Sequence, residues 1–169
     1  MKITVLNGSP RKENTAAMVE AFRQGAEAAG HEVEVIQVGK MNIKGCLGCE
    51  YCHTRGEGKC VQKDDMEKVM PAYLESDMIV FASPIYYMAP TAQLEAALQR
   101  VYCIGKPAKA SNAALILSAM SGPFDPAIAQ FNAYCGFTGI ENAGVITACG
   151  EENKTEAKLA EVKAFAEKL

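Results

Sequence analysis

Four cysteines lie close together along the chain, and their spacing indicates metal or redox chemistry. They follow the pattern C-x2-C-x2-C-x7-C and are Cys46, Cys49, Cys52 and Cys60. Overlapping C-x2-C units let three thiolates reach adjacent corners of a compact cluster, and Gly56 and Gly58 let the chain return with a fourth. The spacing therefore predicts a [4Fe–4S] site. Free or redox-active thiols and zinc remain open as alternatives, although structural zinc normally uses two separated pairs of ligands.

Few other side chains could do chemistry. Cys103, Cys135 and Cys149 are scattered, so each is predicted to be a small buried hydrophobic residue. The only histidines are His31 and His53, and we expect His53 to be a solvated loop residue rather than a ligand. No combination of acid, base and nucleophile is present, so we predict no catalytic side chain. Any activity would then depend on a bound cofactor.

A polar loop from Gly8 to Thr15 follows the first apolar run. It offers the hydroxyls of Ser9 and Thr15, the amide of Asn14 and the guanidinium of Arg11. These groups, with the N–H groups of the helix that follows, suit a phosphate. The loop has neither a Gly-Lys-Ser/Thr ending nor a Gly-x-Gly-x-x-Gly sequence. A plain polar turn would explain the capping residues but not a serine and an arginine directly after a strand, so we predict an anion site.

Two later loops also follow apolar runs. The first is stiff and apolar, and its candidate residues are Pro84, Ile85, Tyr86 and Tyr87. Such a loop suits the flat face of a fused heterocycle, or packing under a neighbouring subunit. The second is small and polar, which is compatible with a ring edge close to the main chain. Its candidate residues are Ser118, Ala119, Met120 and Gly122.

Short apolar runs alternate with amphipathic stretches between these loops. Strands are predicted over 2–6, 32–38, 77–82, 113–117 and 144–148, and helices over 15–29, 65–74, 91–101, from an Asp125 N-cap to Gly136, and from an Asn153 N-cap to 169. Repeated strand–helix units predict a three-layer α/β/α fold, a doubly wound parallel sheet of five strands in the order 2-1-3-4-5. Such sheets bind ligands at the carboxyl ends of the strands, where the three loops lie.

The loop Gly-Ser-Pro-Arg-Lys-x-Asn-Thr and the later Pro-Ile-Tyr-Tyr, followed by a helix ending in Arg100, resemble those of flavodoxin-like NAD(P)H-dependent FMN reductases. The cysteine spacing resembles the compact motif of their iron–sulfur flavoprotein branch. The resemblance implies a flavodoxin-like fold, an FMN-dependent oxidoreductase with NAD(P)H as a transient co-substrate, and a homodimer or homotetramer whose neighbouring subunits help to cover the flavin.

The resemblance also implies roles for the candidate residues. The FMN phosphate would be held by Ser9, Arg11, Asn14 and Thr15. The isoalloxazine would be lined by Pro84, Ile85, Tyr86 and Tyr87, with Ser118, Ala119, Met120 and Gly122 completing the pocket. The cluster ligands would be Cys46, Cys49, Cys52 and Cys60.

The function that follows is electron transfer between FMN and a [4Fe–4S] cluster. The alternatives are a cluster-free NAD(P)H-dependent FMN or quinone reductase, a non-enzymatic flavodoxin-type electron carrier, and a binding domain whose cysteines hold zinc. The electron acceptor would be a redox partner protein or a small molecule.

The length and the net charge of the chain limit the classes of protein to which it can belong. With 169 residues, we predict one domain over 1–169 with a cysteine-rich insertion at about 44–62. A net charge of -3 gives no electrostatic footprint for nucleic acid. No apolar run is long enough for a membrane span, and the first residues do not resemble a signal peptide, so we expect a cytoplasmic protein.

Overall fold

The computed structural model describes residues 1–169, and a parallel five-stranded sheet forms its centre. The strands are β1 (Lys2–Asn7), β2 (Glu32–Ile36), β3 (Met78–Pro84), β4 (Asn112–Ala119) and β5 (Glu141–Cys149). They lie in the order β2-β1-β3-β4-β5, and every neighbouring pair is parallel. The predicted doubly wound fold and its strand order are confirmed.

Helices cover both faces of the sheet. They are α1 (Asn14–Ala28), α2 (Tyr51–Thr54), α3 (Met66–Glu75), α4 (Ala92–Arg100), α5 (Asp125–Thr138) and α6 (Glu156–Ala166), with short 3-10 turns at Val38–Lys40, Val101–Ile104 and Gly150–Lys154. Phe22 of α1 and Val162 of α6 belong to the core on one face. Tyr73 of α3, Leu94 of α4 and Phe131 of α5 belong to the core on the other. None of the helices has both the length and the apolar character needed to cross a membrane.

The central strands are buried on both faces, which explains why their sequences read as continuous apolar runs. In β3, Met78 and Val80 point into one core while Ile79 and Phe81 point into the other. Burying each such side chain contributes about 1.5–3 kcal/mol. The two cores therefore fix the carboxyl ends of the strands, and with them the loops that follow.

The start of α6 differs from the prediction. Thr155 caps this helix, and its hydroxyl accepts the N–H of Lys158 at 3.2 Å. Asn153 is instead buried in the preceding 3-10 turn, where its side-chain amide donates to the carbonyl of Ala119 at 2.8 Å. An asparagine that fits an N-cap by residue type is used here to hold the end of β4.

Predictions for α5 and for one cysteine are also wrong. Phe124, and not Asp125, lies at the N-cap of α5, and Asp125 is the first residue of the helix. Helix α5 continues past Gly136 to Thr138, because the left-handed conformation that ends it belongs to Gly139, with φ of 74°. Cys149 is exposed at the end of the edge strand β5, whereas Cys103 and Cys135 are buried as predicted.

A pair of tyrosines joins α3 to α5 beneath the sheet. The hydroxyls of Tyr73 and Tyr134 lie 2.5 Å apart, and the ring of Phe81 meets that of Tyr134 edge-on. Burial raises the pKa of Tyr73 to about 12, although its hydrogen bond with Tyr134 works against the increase. This tyrosine pair is therefore neutral at physiological pH, and each hydroxyl supplies the other with a partner inside the core.

Candidate functional site

A cavity of about 300 Å³ opens at the carboxyl ends of β1, β3 and β4. Three loops form its walls: the anion loop (residues 8–15), the ring loop (84–90) and the third loop (118–123). All the predicted cofactor-binding residues line it, namely Ser9, Arg11, Asn14, Thr15, Pro84, Ile85, Tyr86, Tyr87, Ser118, Ala119, Met120 and Gly122. Glu13, Met88, Ser121 and Pro123 also line it. None of the four is among the predicted cofactor-binding residues, although the first three lie within the predicted loops and Pro123 directly follows Gly122.

The anion loop presents a helix N-terminus and a guanidinium to the cavity. Helix α1 begins there, no side chain caps it, and its first turn contains no acidic residue. Glu13 occupies the N-cap position, but its carboxylate makes no hydrogen bond to the helix N-terminus, so the first N–H groups of α1 have no side-chain partner. The Arg11 side chain is 57% exposed, and its salt-bridge partner, Glu13, is 4.0 Å away. Both the helix terminus and the guanidinium are therefore available to an anionic ligand.

Ser9 and Thr15 are nearly fully buried and shape the cavity from within. The hydroxyl of Ser9 donates to the carbonyl of Arg11 at 2.9 Å and accepts the N–H of Arg11 at 3.2 Å. The hydroxyl of Thr15 lies 2.7 Å from that of Ser118. Ser9 thereby fixes the bend of the anion loop, and Thr15 joins this loop to the third loop. Direct contact of either hydroxyl with a phosphate stays a prediction.

The ring loop holds its aromatic residues outward by an unusual backbone. Tyr87 and Met88 have φ of 50° and 70°, in the left-handed region that residues other than glycine seldom adopt. A narrow turn supports them, in which the N–H of Tyr86 donates to the carbonyl of Ala89 at 2.9 Å. As a result Tyr87 is 97% exposed, and with Met88 and Met120 it forms an exposed apolar rim around the mouth of the cavity.

The anion loop rests directly on the structure beneath it. The N–H of Gly8 donates to the carbonyl of Ala82 at 2.8 Å, and the N–H of Ser9 donates to the side-chain oxygen of Asn7 at 2.9 Å. Gly39 packs against the same loop so closely that a Cβ there would lie 2.4 Å from the carbonyl oxygen of Ser9. The loop is therefore held from two sides before any ligand binds.

The clustered cysteines lie on the segment between the 3-10 turn at Val38–Lys40 and α3, called here the cysteine loop (residues 43–64). Cys46 and Cys49 are exposed, while Cys52 and Cys60 are partly buried. Nowhere in the chain are three Cys, His, Asp or Glu side chains gathered so that they could hold a metal ion. As placed, the thiols do not fit a four-thiolate site, and their assignment as ligands stays a prediction.

Individual contacts within the cysteine loop involve its sulfur atoms. The N–H of Gly48 donates to the sulfur of Cys46 at 3.4 Å. Burial raises the pKa of the Cys52 thiol, and the backbone N–H groups of Cys52 and His53 oppose that increase. His53 packs edge-on against the ring of Tyr102, with its Nε2 3.1 Å from the Tyr102 carbonyl oxygen. His53 is exposed to solvent, as predicted, but it lies in α2 and not in a loop, and it makes this contact with Tyr102.

A buried ion pair closes the base of the cysteine loop. Nη1 of Arg100, at the end of α4, lies 2.6 Å from Oδ2 of Asp64, and both side chains are 2% exposed. Arg100 also donates to the carbonyl of Lys44 at 3.0 Å, and the N–H of Lys44 donates to Asp64 at 3.1 Å. Both ends of the loop therefore meet at one guanidinium.

Further contacts reinforce this base. The backbone N–H of Asp65 donates to the carbonyl of Asn42 at 3.2 Å, and the N–H of Asn42 donates to the Asp65 carboxylate at 2.8 Å. Burial raises the pKa of Asp64, but the Arg100 guanidinium and two backbone N–H groups outweigh this effect and hold that pKa below its usual value. Asp64 is consequently ionised at neutral pH.

The match to known proteins extends over nearly the whole chain. Residues 1–165 match the model of the NADPH-dependent FMN reductase family. The chain belongs to this family. The resemblance found in the loop sequences is thus confirmed.

Curated relatives of this chain are named iron–sulfur flavoproteins, a more specific name than that of the family. An iron–sulfur flavoprotein of Archaeoglobus fulgidus is 39% identical over 106 residues, which are 62% of this chain and 47% of that protein. An iron–sulfur flavoprotein of Methanocaldococcus jannaschii is 34% identical over 101 residues, which are 59% and 51% of the two chains. The chain spans about half the length of the curated relatives it matches.

Solved structures confirm the fold. An NAD(P)H:quinone oxidoreductase from Methanothermobacter marburgensis superposes with a TM-score of 0.69 at 20% identity, covering 99% of this chain and 93% of the other. An archaeal flavodoxin superposes with a TM-score of 0.67 at 17% identity, covering 99% and 95%. The family member therefore has the flavodoxin-like fold expected from its sequence.

Proposed function

We propose that this chain binds FMN in the cavity between the three loops and works as an FMN-dependent oxidoreductase. One observation carries the proposal: the cavity has an uncapped helix N-terminus with Arg11 on the anion loop and an apolar aromatic loop on another wall. These features complement a phosphate and a flat ring system, respectively. Membership of the NADPH-dependent FMN reductase family supports this interpretation.

The residues around the cavity bind and orient the cofactor. Arg11 and the N-terminus of α1 would hold the phosphate, while Tyr86 and the rest of the ring loop would pack against the isoalloxazine. The hydrogen bond from the N–H of Ile85 to the carbonyl of Ser118, at 2.7 Å, fixes the spacing of the two loops that flank the ring. Bound FMN supplies the hydride and electron transfer. Accordingly, we assign no side chain as an acid or base.

The exposed rim of the cavity supports an oligomer. Tyr87, Met88 and Met120 are large apolar residues left open to solvent around the mouth. Such a patch commonly marks an interaction surface. We therefore propose a homodimer or homotetramer in which a second subunit covers part of the rim and leaves room for the nicotinamide and for the electron acceptor.

Anaerobic purification followed by FMN titration tests the proposal. We expect bound flavin in the visible spectrum, or quenching of FMN fluorescence by flavin-free protein. We also expect rapid oxidation of NADPH or NADH when a quinone is supplied. Flavin binding without turnover would identify an electron carrier instead, and no binding of added FMN would refute the proposed site.

We further propose that the cysteine loop binds a [4Fe–4S] cluster. The C-x2-C-x2-C-x7-C spacing and the names of the curated relatives support this part of the proposal. The present placement of the thiols does not, because the loop would have to bring them together. A cluster-free reductase therefore remains the second candidate, and the placement of the thiols favours it.

Iron and acid-labile sulfide analysis of Cys49→Ala distinguishes the two candidates. Cys149→Ala is the matched control, since Cys149 is also exposed but lies outside the cysteine loop. A cluster predicts that iron is lost in Cys49→Ala and kept in Cys149→Ala, with flavin binding preserved in both. If the unaltered protein, purified without oxygen, contains flavin but no iron, the cluster is refuted and the reductase remains. Zinc in place of iron would show that the cysteines bind zinc and not an iron–sulfur cluster.

A further inference from the structure

Thr91 is a buried residue that contacts two walls of the cavity without lining it. It is 1% exposed and lies at the N-cap of α4, directly after the ring loop. Its hydroxyl donates to the carbonyl of Gly8 in the anion loop at 2.8 Å. Its backbone N–H donates to the hydroxyl of Ser83, in β3 directly before the ring loop, at 2.9 Å. One residue thus joins the two loops that the proposed function assigns to the phosphate and the ring.

The contact with the anion loop leaves no free space. A Cβ on Gly8 would lie 2.6 Å from the Thr91 hydroxyl and 2.7 Å from the Cβ of Leu94. The same hydroxyl accepts the N–H of Leu94 at 3.3 Å and so caps α4. The Gly8 carbonyl is therefore held by a short, buried side chain at the start of a helix that is packed into the core. A small displacement of Thr91 would therefore displace the anion loop as well.

We infer that Thr91 is a positioning residue that sets the preference of the site for phosphorylated flavin. The inference rests on the proposed FMN function. Through its hydroxyl, Thr91 fixes the anion loop, and hence the phosphate donors, relative to the ring loop. Through its N–H, it fixes the ring loop itself. The two connections use different atoms, so substitutions can remove them separately.

Thr91→Val removes the hydroxyl, preserves the shape of the side chain and leaves the backbone bond to Ser83 intact. We expect the Kd for FMN to rise about tenfold, the effect of leaving one buried carbonyl without its donor. The Kd for riboflavin, which has the same ring but no phosphate, should stay nearly unchanged. Thr91→Ser retains the hydroxyl and should restore FMN binding. Ser83→Ala removes the hydrogen bond between the two residues that flank the ring loop and should weaken the binding of FMN and riboflavin by a similar factor.

Thr155→Val is the matched control for a lost helix cap. The Thr155 hydroxyl likewise accepts an N–H, that of Lys158, and donates to a carbonyl, that of Glu152 at 3.1 Å, but at the start of α6. Both dissociation constants are measured by flavin fluorescence, and thermal unfolding confirms that each variant is folded.

A fall in the FMN-to-riboflavin preference in Thr91→Val alone, with recovery in Thr91→Ser, supports the inference. Equal losses for the two flavins, or the same change of preference in Thr155→Val, would show that Thr91 only stabilises the fold and would overturn it. Unaltered protein that binds neither flavin would overturn the proposed function as well, so the two failures can be told apart.

Discussion

Replacing Asp64 by asparagine should destabilise the protein severely. The substitution keeps the size of the side chain but removes the charge that lies 2.6 Å from the Arg100 guanidinium. Both side chains are 2% exposed, so the remaining cation has no access to bulk water. Breaking a buried pair by removing one partner typically costs about 3–5 kcal/mol. That is a large share of the roughly 5–15 kcal/mol by which a domain is stable.

Urea denaturation of Asp64→Asn at pH 7 measures this cost, with Glu67→Gln as the control. Glu67 pairs with Lys63 at 3.1 Å, but both side chains are more than 60% exposed. Removing that exposed pair should cost about 0–1 kcal/mol. Trypsin should also cut the cysteine loop faster in Asp64→Asn, because the loop loses a contact that joins its two ends. A loss below about 1 kcal/mol, equal to that of the control, would refute the assignment of Arg100 and Asp64 as a buried, mutually dependent pair.

The difference in unfolding free energy between the unaltered protein and Asp64→Asn should also depend on pH, which provides a second test. The folded-state pKa of Asp64 is depressed, so its stabilising contribution is present above the unfolded value of about 3.9 and is lost as the pH falls through the folded value. The gap in unfolding free energy between the unaltered protein and Asp64→Asn should be constant from neutral pH down to about 5 and shrink below about 4. A gap that is already closing near pH 6 would contradict the depressed pKa.

Three further outcomes are expected. The double variant Ser9→Ala with Arg11→Ala should raise the Kd for FMN by about one to two orders of magnitude, because a charged donor to the phosphate is lost. The Kd for riboflavin should change much less. Equal increases in the two dissociation constants, measured by fluorescence titration, would mean that the loop is only a turn. Gly39→Ala should lower the free energy of unfolding by about 1–3 kcal/mol, since the added methyl group would meet the anion-loop backbone. The control is Gly136→Ala, where nothing lies within 4 Å of the added methyl group; it should be neutral or stabilising in urea denaturation. Tyr134→Phe should cost about 1–2 kcal/mol by leaving its partner hydroxyl without a bond in the core, and an unchanged urea midpoint would show that a water replaces it.

The sequence was enough to predict the sheet, its strand order and the residues around the cavity. These predictions succeeded because they depend on local signals: apolar runs, the residues that follow each run, and the rule that places ligands at the carboxyl ends of parallel strands. Ser9, Pro84 and Ser118 could be assigned to one site without knowing any contact between them, since the topology alone brings their loops together.

The contacts that hold the site could not be predicted in this way. Thr91 and Gly8 are 83 positions apart, and nothing in either residue type indicates that they form a hydrogen bond. Asp64 directly precedes the helix predicted over 65–74, and nothing in that local sequence indicates its buried partner Arg100, 36 positions later. Asn153 was mistaken for a cap for the same reason. The hydrogen-bond partner of a buried polar side chain can lie far away along the chain. The residues next to such a side chain therefore do not identify its partner, and they can suggest a wrong local role.

The two ends of the cysteine loop lie side by side in the fold. Because Asn42 and Asp65 already share a backbone hydrogen bond, the chain leaves the fold and returns to it at one place. The entropy of closing a loop grows only slowly with its length, by about 0.6 kcal/mol per doubling. A change in the length of the segment between these ends should therefore cost little in closure entropy, provided that Asp64 is kept as the partner of Arg100. We therefore expect that the stretch between Lys44 and Asp64 can be shortened or exchanged while the cavity stays in place, as long as both of these residues keep their contacts with Arg100.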